Sequence, residues 1–108
     1  MQVDAGITRV FHLLGKRWTG QIVSVLTAGP AYFADLRRAI PGISERMLSN
    51  RLAELAAAEL IVRGVDGGPP LRVSYRLTRA GTALKPAFEE LERWAQTHLP
   101  ETVRPAGC

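Results

Sequence analysis

Arg46 and Asn50 stand four positions apart, about one helical turn, and carry complementary hydrogen-bonding groups. A guanidinium offers two parallel N–H donors that match the O6 and N7 acceptors of guanine. A carboxamide offers a donor and an acceptor that match the edge of adenine. Ser44 and Ser49 stand near them with hydroxyls that reach phosphate oxygens, and Ala53 and Ala57 are small enough for a helix to lie close against a partner. At roughly 100° per residue, Leu48, Leu52 and Leu55 collect on one side of the stretch Ser44–Glu59, with Ala56 and Glu59 close by. Arg46, Met47, Asn50, Ala53, Glu54 and Ala57 collect on the other, and Arg51 lies on the flank, where phosphate contact and an ordinary surface role are both open. The leucine side is expected to pack inward. A plainly solvated helix face has much the same polar residues, so the meaning of this one depends on its surroundings.

Pro41-Gly42 breaks the chain just before this helix, and Ser44 is its expected N-cap. A full capping box needs Glu or Gln three positions on; Met47 stands there, so only the serine half is present. Upstream, Tyr32–Ile40 reads as a short extended lead-in and a two-turn helix. Downstream, Leu60–Val65 has strand composition, Asp66–Pro70 is a turn, and Leu71–Leu77 alternates. Leu71, Val73, Tyr75 and Leu77 share one face, with Arg72, Ser74 and Arg76 on the other. This hairpin puts Arg63, Arg72 and Arg76 beside a Gly67-Gly68 tip, suited to phosphate or a minor groove. A solvated hairpin with alternating charge has the same pattern.

The ends of the chain read as helices. Ile7, Val10, Phe11 and Leu14 recur at helical spacing, with Asp4 as N-cap and Gly15 at the C′ position. Trp18, Ile22, Val25 and Leu26 form the stripe of a second helix that Gly29-Pro30 ends. Thr78 caps a last helix carrying Leu84, Phe88, Leu91 and Ala95; Pro86 either kinks it or marks the end of a short first piece near Lys85. Pro100 and Pro105 mark a frayed tail. Two stripes, Ile7, Phe11 and Leu14 at one end and Phe88, Leu91, Trp94 and Ala95 at the other, exceed what the core of a 108-residue chain needs. They are expected to form the interface of a homodimer.

The order of elements is that of a winged helix-turn-helix, an α+β fold that is mostly α. Residues 1–108 are expected to form one domain, with dimerisation helices at about 4–14 and 78–99, the helix-turn-helix at about 33–59 and a two-stranded wing at about 60–77.

The net charge of +4 favours a polyanionic partner. It sits upstream: residues 1–30 and 31–77 each sum to +2, and residues 78–108 sum to zero. No apolar run approaches the ~20 residues of a membrane span. Met1-Gln2-Val3-Asp4 has no basic stretch leading into an apolar one, so export is not expected. The single cysteine, Cys108, cannot form an internal disulfide, which suits a reducing cytoplasm. His12 and His98 are too few and too far apart for a metal site, and no cofactor is expected. Trp18 reads as core, Trp94 as core or dimer interface, and Glu89, Glu90 and Glu92 as a solvated face. There is no nucleophile elbow, phosphate-binding glycine loop or general acid–base pair, so an enzyme is not expected. The competing reading is a winged-helix module that binds another protein and no DNA; a steep fall of affinity with salt separates the two.

Three stretches carry a resemblance: Leu13-Leu14-Gly15-Lys16-Arg17-Trp18-Thr19, the run from Phe33 to Leu52 containing IPGISERMLSNRL, and Val73–Gly81 containing YRLTRAG. Together they resemble the HxlR family of bacterial transcriptional regulators, a branch of the MarR-like winged helices, from about Ile7 to His98. The resemblance implies a cytoplasmic homodimer joined through its terminal helices, binding a palindromic operator in double-stranded DNA. It also leaves room for a small-molecule effector. Ser44, Arg46, Met47, Ser49, Asn50, Arg51, Arg72 and Arg76 are the expected DNA-contacting residues. Ile7, Phe11, Leu14, Phe88, Leu91 and Trp94 are the expected dimer contacts. Some members sense quinones or oxidants through a cysteine at the start of the first helix. Counted back from Trp18 that position falls at about Ala5, where there is no cysteine, so this sensing is not expected here.

Overall fold

The computed structural model describes residues 1–101; Pro105 and Cys108 lie outside the described residues. In chain order it contains α1 (Ala5–Leu14), α2 (Thr19–Thr27), β1 (Ala31–Tyr32), α3 (Phe33–Ala39), α4 (Glu45–Ala57), β2 (Ile61–Asp66), β3 (Arg72–Leu77), α5 (Arg79–Thr82) and α6 (Lys85–His98). This is the mixed α+β winged-helix arrangement that the order of elements implies.

Asp4 starts α1 by accepting the N–H of Ile7 on its carboxylate at 3.0 Å. Gly15 ends it, but not in the left-handed conformation expected of a C′ residue: its φ is −78°. Glycine is needed there for space, because a Cβ would lie 2.3 Å from the carbonyl oxygen of Phe11. Trp18 does not join the stripe of the second helix. It precedes α2 as N-cap with φ 80°, the left-handed residue that turns the chain back so that Thr19, Ile22, Val23 and Leu26 reach the core. Its indole packs half-buried against that core.

The core joins Ile22, Val23 and Leu26 of α2, Leu36 and Ile40 beside them, Ile43 of the turn before α4, Leu48, Leu52 and Leu55 of α4, and Ile61 and Tyr75 of the sheet. Each buried aliphatic side chain contributes about 1.5–3 kcal/mol. The leucines fix which face of α4 remains outside. α4 stops at Ala57, short of the expected Glu59. Glu59 has φ 60° and is exposed rather than turned inward. Its N–H reaches the carbonyl of Ala56 at 2.9 Å, and that of Leu60 reaches Leu55 at 3.0 Å. These are the two bonds of a Schellman cap. Stopping the helix there lets Ile61 enter the core.

The sheet has three strands rather than two, in the order β1-β3-β2. Tyr32, expected only to open an extended lead-in, and Ala31 before it pair with Ser74 and Tyr75 of β3. β2 and β3 pair from Ile61↔Leu77 to Asp66↔Arg72. That register leaves residues 67–71 as the tip. Leu71 therefore falls outside the strand and is exposed instead of joining Val73, Tyr75 and Leu77. Beyond β3, Thr78 caps α5 by accepting the N–H of Gly81 at 3.1 Å. The short first piece before Pro86 is the form seen: α5 ends at Thr82, and Pro86 lies in the first turn of α6, where no N–H is needed.

Neither α1 nor α6 buries a residue fully. Among the described residues, no helix is long and apolar enough to cross a membrane.

Candidate nucleic-acid interface

The Ser44 hydroxyl accepts the N–H of Met47 at 3.0 Å and so starts α4. With Leu48, Leu52 and Leu55 buried, the outermost strip is Arg46, Asn50, Ala53 and Ala57, all exposed. Ser49 is exposed on the flank toward the sheet. The opposite flank differs from the expectation. Met47 is half-buried against the core. Glu54 does not face outward: its two carboxylate oxygens accept from Lys16 Nζ at 2.8 Å and Arg51 at 3.0 Å. Lys16 first, then Arg51, hold its carboxyl below the ordinary glutamate range. The Arg51 side chain is only 17% exposed, and its Nε donates to the carbonyl of Arg17 at 2.9 Å. Arg51 is thereby occupied inside the molecule, because its position on the helix points at the α1–α2 turn rather than away from the body.

The wing supplies a second set of cations. Arg63 pairs with Tyr75 across the hairpin, so its side chain shares Tyr75's face and leans toward α4. The Arg72 guanidinium lies over the ring of Tyr32, its central carbon 3.5 Å from the ring centroid. The Tyr32 hydroxyl donates to Asp66 at 2.6 Å, and its N–H donates to Asp35 in the first turn of α3. The hydrogen bond to Asp66, then its negative charge, raise the Tyr32 pKa above the ordinary tyrosine value. Between these elements runs an open groove of about 450 Å³, lined by Phe33, Ser49, Arg63, Arg72 and Tyr75 among others. Arg76 does not join it. Four residue pairs along the hairpin from Arg72, it borders a separate hollow with Leu26, Pro30 and Lys85.

Sequence reasoning named Arg63 only as a flank of the wing; its place in the groove follows from the hairpin register. It did not single out Arg37 and Arg38 of α3 at all. Both are exposed; Arg37 bonds Glu45 at the start of α4 at 2.8 Å, and Arg38 pairs with Asp35. The available signal was their place on the helix that precedes α4.

The apolar residues at the two ends divide. Phe11 is 64% exposed, Leu91 61% and Trp94 54%, with Ile7 and Val10 also exposed. Leu14 and Phe88 are instead half-buried against this chain's own core, because each lies at the end of its helix nearest the body. Trp94 is thus not a core residue; its ring lies 5.9 Å from that of His98. Among the described residues, no group of three His, Cys, Asp or Glu side chains is placed to hold a metal ion.

A family model described as HxlR-like helix-turn-helix matches residues 13–103. The HTH-type transcriptional regulator YodB of Bacillus subtilis is 47% identical over 85 residues, covering 79% of this chain and 76% of that one. The structure of reduced YodB superposes with a TM-score of 0.77 at 41% identity, covering 90% of this chain and 95% of that one. A MarR-family protein of Porphyromonas gingivalis W83 gives a TM-score of 0.84 at 28% identity, covering 92% and 97%. The chain belongs to the HxlR-like helix-turn-helix family of transcriptional regulators.

Proposed function

We propose that the chain is a sequence-specific DNA-binding regulator that acts as a homodimer on a palindromic operator. The observation that carries this reading is the strip Arg46–Asn50–Ala53 on α4 beside a groove bearing Ser49, Arg63 and Arg72. The strip suits base edges in a major groove. The groove carries the positive charge of Arg63 and Arg72, suited to the phosphate backbone as it leaves that contact. The exposed faces of α1 and α6 supply the contact between two copies, and a two-fold axis there sets two α4 helices against half-sites about 34–36 Å apart. YodB has been solved bound to a quinone. Position 5 here is alanine. A small-molecule effector of this chain therefore acts without a thiol adduct at the start of α1.

Binding titrations across salt test the reading, on a duplex enriched from a randomised pool and on a scrambled control. Arg46→Ala or Asn50→Ala costs roughly 1–3 kcal/mol on the enriched duplex and little on the control. Arg63→Ala or Arg72→Ala weakens both alike and lowers the salt slope by about one. A chain with no salt-dependent affinity for any duplex, or one that stays at the 11.8 kDa monomer mass at micromolar concentration, refutes the proposal.

A further inference from the structure

The α1–α2 turn, residues 15–18, is the joint between the helix with the exposed apolar face and the body that carries α4. Several features hold it in one shape. Gly15 packs against the Phe11 carbonyl where no Cβ fits. Trp18 is left-handed, and the Arg17 guanidinium lies 4.5 Å from the centre of its indole. Two hydrogen bonds then tie this joint to α4, Lys16 to Glu54 at 2.8 Å and Arg51 Nε to the Arg17 carbonyl at 2.9 Å, and a third within α4, Arg51 to Glu54 at 3.0 Å, couples the two. Glu54 uses both carboxylate oxygens, one for each cation, so the three side chains act as a unit.

We propose that Arg51, Glu54 and Lys16 are positioning residues that fix the angle between α1 and α4, and so set the half-site spacing that the dimer accepts. The inference rests on the DNA-binding homodimer reading. α1 reaches the partner copy and α4 reaches the DNA, so their relative angle becomes a distance on the duplex. With α1 held in the dimer, a rotation of about 10° at the joint moves Arg46, about 12 Å along α4 from Glu54 at about 1.5 Å per residue, by about 2 Å in each copy, or about 4 Å between the two. One base-pair step is ~3.4 Å. Loss of the tie therefore blurs the register by about one base pair without altering any group that touches DNA.

The test uses the full-length dimer and the duplex enriched from a randomised pool, remade with one or two base pairs added to or removed from its centre. A single half-site duplex serves as reference. The wild-type chain loses about tenfold in affinity on a one-base-pair change. Arg51→Met keeps the length of the side chain and removes its bonds; its loss on the same change falls to about threefold or less, with half-site affinity within about twofold of wild type. Lys16→Met, at a half-exposed position, gives the same flattening and serves if Arg51→Met does not fold. A spacing profile as sharp as wild type in both variants overturns the proposal. So does a fall in half-site affinity with a salt slope lower by about one, which makes Arg51 a phosphate contact. If the wild-type chain enriches no sequence from the pool, the DNA-binding reading itself fails, and this inference with it.

Discussion

Replacing Gly81 by alanine tests how tightly the wing is joined to the helices that follow it. Gly81 is buried in α5, and a Cβ there would lie 2.2 Å from the Leu60 carbonyl oxygen and 3.0 Å from Leu77 Cδ2. An ordinary carbon–oxygen contact is about 3.3 Å or more, so α5 must retreat by about 1 Å. The Leu60 oxygen cannot yield instead: it is backbone and accepts the Thr78 N–H at 2.9 Å, while the Thr78 hydroxyl donates to the Glu59 carbonyl at 2.7 Å. Overpacking of this kind costs about 1–3 kcal/mol. Weakening the Thr78 hydrogen bonds adds about 1 kcal/mol, and the better helix propensity of alanine returns about 1 kcal/mol. The net destabilisation is about 2 kcal/mol, which lowers Tm by roughly 8 °C or more for a domain of this size. Thermal melts followed by circular dichroism, at one protein concentration, measure it. Gly67→Ala is the control, since nothing lies within 4 Å of a Cβ there. A Gly81→Ala protein that melts within about 2 °C of wild type refutes the reasoning, because α5 would then separate from Leu60 at no cost.

Glu59→Gly relieves a left-handed residue that carries a Cβ and stabilises the chain by about 0.5–1 kcal/mol, after the extra backbone entropy of glycine. Urea titration reads this as a higher midpoint at unchanged slope. Tyr32 is held above the ordinary tyrosine value of 10.0, so its contribution is present below that pH and is lost as pH rises through the folded value. Ultraviolet difference titration of wild type against Tyr32→Phe isolates this phenol. Asp66→Asn brings its titration to lower pH, and an unmoved titration removes Asp66 as the cause.

The leucine spacing in α4 and the alternation in β3 made the helix-turn-helix and the hairpin readable, because a buried face imposes its period directly on residue type. Arg46 and Asn50 could be placed on the outer face of α4 for the same reason. Met47, Arg51 and Glu54 could not be placed fully. They lie on a flank, and whether a flank is wet depends on what packs beside it, here a turn some 34 residues away in sequence. Arg63 depended on register, which the residues 67–71 decide by leaving Asp66 opposite Arg72. β1 was readable only as an extended lead-in and not as a strand, because two residues carry no period. Trp18 and Glu59 take left-handed conformations that are unusual for their residue types, so the chain reversals there had no glycine to announce them. Leu14 and Phe88 continue the apolar stripes of α1 and α6. Nothing local says where along such a stripe one chain's own core ends and the surface left for another begins.

The position of β3 between β1 and β2 has a consequence for how the wing tolerates insertions and deletions. Ser74 and Tyr75 are bonded to both neighbours, so the root of the hairpin has no freedom to swing. One residue inserted within β2 before Arg63 would slip the strand by one position and turn Arg63 to the opposite face, away from α4. Residues added between Asp66 and Arg72 would leave that parity intact and only lengthen the tip. Reach is thus free to drift at residues 67–71 while aim is locked at the root, and changes in length should accumulate only in the first of these.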